Sequence, residues 1–216
     1  MTNTASSFWK FIRVAGALAA LAIWPGFSQA QLGLPGLPPL PGGGGGSQAQ
    51  ALTGQASAVT AVVLGLATSL ADTGTLSSAS EPLGTGLSTG SIPGLISGEA
   101  LHAATMGWTD QVASQASLSN LAVSVAGIGI TAQSLLSRAL AVSGAGATGG
   151  SSIEGLTIGG VPVSVTGAPN EQISLPGLSI VLNEQIQSAN GIIVNALRVR
   201  SLDGTDIAIG TARAGI

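Results

Sequence analysis

Between residues 153 and 214, four short pairs, Gly159-Gly160, Pro176-Gly177, Asn190-Gly191 and Asp203-Gly204, recur between runs rich in Ile, Val and Leu. Gly-Gly, Asn-Gly and Asp-Gly tolerate the positive φ that tight hairpin turns demand. With each pair taken as a two-residue connection, this third of the chain reads as an antiparallel meander of about six strands. Upstream, Val59, Ala61 and Val63, then Leu121, Val123 and Val125, then Val161, Val163 and Val165 alternate with smaller or polar partners, as in strands with one buried face. Helical spacing is scarce. Its best candidate is Thr131 to Leu140, where Leu135, Leu136, Ala139 and Leu140 share a face if helical; a strand fits equally. The expected fold is all-β, a two-layer antiparallel sandwich with a C-terminal meander of hairpins, and a β-roll or solenoid is the alternative. The periods are too irregular for a repeat.

The triplet Asn-Glu-Gln occurs twice, at 170–172 and 183–185, on either side of Pro176-Gly177. A two-residue loop there sets Leu175 against Leu178, Asn170 against Asn183 and Glu171 against Leu182, so the two carboxylates are not cross-strand partners. Pro-Gly favours turn types that match hairpin twist poorly, which leaves a longer or bulged loop as the other possibility.

The first 30 residues differ from the rest. Lys10 and Arg13 precede the apolar run Val14 to Trp24, and Ser28-Gln-Ala30 supplies small residues at the positions a signal peptidase reads, so residues 1–30 are expected to be a secretory signal. An eleven-residue apolar run is short of the roughly 20 residues a membrane-spanning helix needs, so no transmembrane segment is expected in the mature chain. Residues 31–50, which join Pro-spaced and Gly-rich pieces, read as a linker, and 51–216 as one extracellular domain. With no Cys, neither a lipoprotein anchor nor a disulfide framework is available, and stability must come from burial.

After residue 30 the basic side chains are Arg138, Arg198, Arg200 and Arg213 against nine acids, a net charge of −5. That balance, with Trp108 as the lone aromatic, argues against nucleic acid, which asks for clustered cations and stacking platforms. Charged residues make up 7% of the chain against roughly 25% in ordinary domains. Such a mild surface is either carried in solution by Ser, Thr and backbone, or meets a cell-wall or surface polymer or another copy of the chain.

Ala61-Val-Val-Leu-Gly-Leu66, Leu70-Ala-Asp-Thr-Gly74, Ile96 to Ala103, Gly155 to Val161, Gly167-Ala-Pro-Asn170, Leu182-Asn-Glu-Gln185 and Val194-Asn-Ala-Leu197 follow one another in an order that resembles the choice-of-anchor P family of bacterial surface and secreted proteins. The likeness covers about residues 54–216. It implies an extracellular domain found with different C-terminal anchoring tails, and no established activity. Arg198 stands where the family is expected to favour His. The chain stops at Ala214-Gly-Ile216 without a sorting motif, which leads to the expectation of a free secreted form.

Catalytic residue types are few: after residue 30 there is no Lys or Tyr, and His102 is the single imidazole. A hydrolase using Ser or carboxylates around His102 is therefore the alternative to a structural or adhesive, non-enzymatic domain. Paired carboxylates for sugar hydrolysis lack aromatic walls, and no Gly-x-Ser-x-Gly elbow is present. Asn170, Glu171, Asn183 and Glu184 are hard oxygen donors of the type Ca²⁺ takes; the plainer reading has the Asn side chains bonding backbone at strand ends. Asp72-Thr-Gly74 reads as an Asx turn rather than a protease triplet. Trp108 either caps one end of the sandwich or serves as an exposed contact anchor.

Overall fold

The computed structural model describes residues 51–76, 78–79 and 82–216, so the expected signal and linker lie outside the described residues. The chain lays down β1 (Thr53–Val63) and β2 (Leu66–Asp72), then crosses to a second sheet. That sheet is built from β3 (Pro82–Ile92), β4 (Ile96–Gly107), β5 (Gln111–Val125), β6 (Ile128–Val142), β7 (Gly146–Glu154), β8 (Thr157–Ile158) and β9 (Val161–Pro162). The chain then returns to the first sheet with β10 (Glu171–Leu175), β11 (Leu178–Ser188), β12 (Gly191–Ser201) and β13 (Asp206–Gly215). No helix occurs among the described residues.

The first sheet has the order β10-β11-β12-β13-β1-β2 and the second β3-β4-β5-β6-β8-β9, with β7 also paired to β6. Every pairing is antiparallel, and the sheets pack face to face over a core of Ala, Val, Leu and Ile that includes Val59, Leu101, Leu121, Ile130, Leu182, Leu197 and Ile209. The sandwich expectation holds. Because the meander's last strand pairs with β1, the ends of the domain are tied into the middle of one sheet.

Hairpin chemistry decides the local register. Leu64-Gly65 (φ 50° and 81°) and Gly159-Gly160 (φ 59° and 78°) are both left-handed at both positions, the signature of type I′ turns. Pro176-Gly177 does form a two-residue loop, with only Gly177 left-handed (φ 75°), so the register Leu175 to Leu178 and Glu171 to Leu182 is as expected. Two other turns differ from expectation. Ser188 pairs with Gly191, so the loop is Ala189-Asn190 and Gly191 already belongs to β12. Asp203-Gly204 sits in a three-residue loop closed by Ser201 N donating to Thr205 O at 2.9 Å, with Gly204 at φ 86°.

The meander is also shorter than the turn pairs suggest. Only β10 to β13 form it; the strands at 153–162 join the second sheet, and Val163 and Val165 pack against the core outside any strand. Thr131 to Leu140 is not a helix but the centre of β6. Its inward residues are Ile130 and Ala132, then Leu135 and Ala139, because the alternation slips by one at Gln133-Ser134, beside a bulge at Asn120 in β5. One slip in a strand produces the three-residue spacing that reads as helical.

A similar slip runs across the whole first sheet. The ladders of β11, β12, β13, β1 and β2 all skip the same rung, formed by Asn183, Ala196, Gly210, Ala58 and Ala71. On alternate strands the residue is left-handed: Asn183 (φ 49°), Gly210 (φ 61°) and Ala71 (φ 50°). In β1 and β12 two successive side chains, Ala58-Val59 and Ala196-Leu197, then point into the core. An inner face that gains a side chain in these strands bulges, and the opposite face is drawn in.

Leu64 carries the turn strain most plainly, since a γ-branched apolar residue holds a left-handed position and remains 83% exposed. Leu64→Asn gives the turn its favoured Asn-Gly pair and should raise unfolding free energy by about 1 kcal/mol, read as a higher urea midpoint at constant slope. A lower midpoint would contradict this account of the turn.

Candidate functional site: a polar groove across the first sheet

Beside the crease, on the outer face, one rung of five strands is polar throughout. Glu184 pairs with Asn195, Asn195 with Thr211, Thr211 with Ser57, and Ser57 with Asp72. Outer-face residues of a sandwich are ordinarily wet, yet here Ser57, Asn195 and Glu184 are only 2%, 3% and 7% exposed. The crease explains this: with the extra side chains turned inward, the outer surface folds into a groove of about 380 Å³ and this rung lies along it.

The buried polar atoms are matched to one another, as they must be where water is excluded. Asn195 Nδ2 donates to Glu184 Oε2 at 2.6 Å, and Thr211 Oγ1 donates to Asn195 Oδ1 at 2.7 Å. Thr60 Oγ1 donates to Ser57 Oγ, which donates to the Val59 carbonyl. At the far end Gln55 Nε2 donates to Asp72 Oδ1 at 3.1 Å.

Two arginines of β12 complete the Glu184 end. Arg198 grips Asp206 with two parallel bonds of 2.9 and 2.7 Å and reaches Glu184 at 3.1 Å, while Arg200 reaches the other Glu184 oxygen at 3.0 Å. The Arg198 hydrogen bond holds the Asp206 carboxyl below the usual carboxylate range, against the opposing effect of burial. Asp206 in turn is the main cause, with Glu184 adding to it, that raises the Arg198 pKa. Arg213, exposed on the same face beside Ile193 and Gln55, forms no ion pair among the described residues. The groove thus offers fixed donors and acceptors along its length and one uncommitted guanidinium at its margin, an arrangement that suits hydrogen bonding to a ligand laid across the strands.

The residues singled out from sequence are scattered. Glu171 pairs with Leu182, whose side chain enters the core, and accepts from Thr166 Oγ1 at 2.7 Å; Glu184 lies on the other face of the sheet among arginines. Asn170 exchanges bonds with the Gln185 backbone, and Asn183 Nδ2 donates to the Gly167 carbonyl at 2.9 Å. The four therefore do not meet as one cation cage, and no group of three or more His, Cys, Asp or Glu suited to a metal occurs among the described residues. His102 is exposed on the second sheet's outer face opposite Gly86 and Ser117, and no hydrogen bond joins it to a carboxylate or hydroxyl among the described residues. Trp108 is half-buried at the β4–β5 turn, where its backbone N–H donates to the Gln111 carbonyl at 2.7 Å. Asp72 accepts from Gly74 N at 2.8 Å, which makes the Asx turn.

Asn195, Thr211 and Ser57 escaped sequence reasoning, although the segments Leu70 to Gly74, Leu182 to Gln185 and Val194 to Leu197, singled out in the sequence, meet at this rung. A polar residue between two inward apolar neighbours, as Asn195 is between Val194 and Ala196, was the available signal.

Removing Glu184 leaves Asn195 Nδ2 without its acceptor and two guanidiniums sharing Asp206 alone, so Glu184→Ala should cost about 3 kcal/mol in chemical denaturation. Asp206 has a folded pKa below its unfolded one, so its contribution is complete above about pH 4 and is lost as pH falls further through the lowered value. An acid unfolding profile should show that loss, and Asp206→Asn should remove it. No family model, curated protein or solved structure matches this chain.

Proposed function

We propose that this chain is an exported bacterial protein, surface-displayed or secreted, whose sandwich has a structural or adhesive and non-enzymatic role of the kind implied by its resemblance to the choice-of-anchor P family. The observation that carries this reading is how the described carboxylates are employed. Glu184 and Asp206 are held by Arg198 and Arg200, Asp72 by Gln55, Glu99 by Asn120, Glu154 by Ser134 and Glu171 by Thr166. Each fastens neighbouring strands or a strand to a loop, and none forms an ion pair with His102 among the described residues. Polar chemistry is spent on holding strands together within each sheet, which suits a domain that presents surfaces. The basic, apolar and small-residue succession of residues 1–30 supports export.

Fractionation of the producing cells into medium, wall, membrane and cytoplasm tests the reading. The protein is expected in the medium or wall fraction with its N-terminus near Gln31. Recovery from the cytoplasm at full length would remove it, and a hydrolytic activity abolished in a folded His102→Ala variant would replace it.

A further inference from the structure

The four most exposed large apolar side chains of the described domain are Leu202 (91%), Leu64 (83%), Leu66 (75%) and Val161 (64%). All four stand at hairpin tips, those of Leu64, Leu66 and Leu202 on adjoining turns of the first sheet. Leu64 and Leu66 belong to the β1–β2 turn and Leu202 to the β12–β13 turn; β13 pairs with β1, running from Asp206 opposite Val62, so the two turns share one end of the first sheet. Leu202 N donates to Gly177 O, which sets the Pro176-Gly177 turn beside them. Val161 follows the Gly159-Gly160 turn, at the end of the second sheet whose Ile130 and Ile158 share the core with Ala61, Val199 and Ile207. The domain's first described strand begins at the opposite end, where Thr53 pairs with Gly215.

Fold stability does not explain these leucines. Leu64 sits at a left-handed turn position that Asn or Gly would occupy with less strain, and none of the three is buried. Three features select the occupant. The apolar groups ride on separate protrusions rather than a flat patch, so a folded partner would need a matching pocket for each, whereas acyl chains conform to any of them. Tight turns satisfy much of their own backbone, as a lipid environment requires. And the tips carry no Lys or Arg; their one charge is Asp203, kept ionised by bonds from Ser201 and Thr205 N.

We propose that this end of the sandwich docks shallowly on a lipid surface of zwitterionic headgroups, with Leu64, Leu66 and Leu202 entering the boundary of the acyl region. The tip anion, and a chain of net charge −5 beyond residue 30, disfavour anionic lipid. For its setting the inference rests on the adhesive, exported reading. The two fail separately, since a protein confined to the cytoplasm that still binds vesicles refutes that reading and not this one.

Flotation of the exported protein with vesicles tests it. Wild type is expected to float with phosphatidylcholine vesicles and to float less when phosphatidylglycerol is mixed in. Leu64→Asn and Leu202→Ser should each lower the partition coefficient about tenfold and together about a hundredfold, as expected for losing one apolar anchor each. Ile186→Ser, on the outer face away from the tips, should change nothing, and Trp108 emission should not shift, because that side chain lies by Gly107, whose neighbour is Leu52 near the opposite end. Wild type left unbound by phosphatidylcholine, or a folded double variant that floats as well as wild type, overturns the proposal. So does leucine-dependent dimerisation without lipid, which would make a second copy the occupant.

Discussion

The structure depends on one interrupted rung. Where Asn183, Ala196, Gly210, Ala58 and Ala71 cross the first sheet, regular alternation stops and restarts in the opposite phase on five strands at once. A bulge ordinarily changes phase in one strand alone; here five adjacent strands change together, which keeps their polar residues in one row on the outer face. The residue types permit this. Asn183 and Gly210 tolerate left-handed backbone, and a Cβ on Gly210 would stand 3.1 Å from that of Ala196, so the inner side has room for little more than Ala.

The groove and its electrostatics follow from the same rung. Drawing in the outer face buries Glu184, Asn195 and Ser57, and burial of a carboxylate is tolerable only with partners in place. Arg198 and Arg200 supply them from the next strand, two residues apart and so on one face, and Asp206 balances the second positive charge. The bidentate Arg198–Asp206 contact uses the planar fork that a His at this position would not provide. Arg198 therefore has a role in the geometry of this chain.

Much of the fold was legible because turn chemistry and period two are local. Pro176-Gly177 and the Leu175 to Leu178 register could be read directly, since a two-residue loop leaves only one way to count back. What the sequence hid is everything produced by a phase change. Ala132 to Leu135 in β6 takes on helical spacing because the β5–β6 ladder skips the rung of Asn120 and Gln133, beside the irregularity between β4 and β5, and no inspection of β6 alone reveals that. The groove was hidden for the same reason. Ser57, Asn195 and Thr211 are far apart in sequence and become one row only through the pairing of β1, β12 and β13, while the Asn-Glu-Gln duplication drew notice to residues that the hairpin sends to opposite faces.

Lack of cysteine and of aromatic bulk leaves close approach of small residues as the means of joining the layers. Ala56 of the first sheet meets Ala103 and Ala116 of the second, and Ser114 Oγ donates across the interface to the Arg213 carbonyl at 2.6 Å while sharing a 2.7 Å contact with Thr105. Sheets this near have little internal volume to bury large side chains at their margins, so bulk that is not needed inside must stand outside. The chain does not spread that bulk evenly. The ion cluster of Glu184, Arg198, Arg200 and Asp206 neutralises itself on the outer face and reaches the base of the β12–β13 turn, and the largest unburied leucines stand beyond it at the turns farthest from Thr53. Because the ion cluster is matched within itself, the tips are where the sandwich exposes its largest apolar side chains.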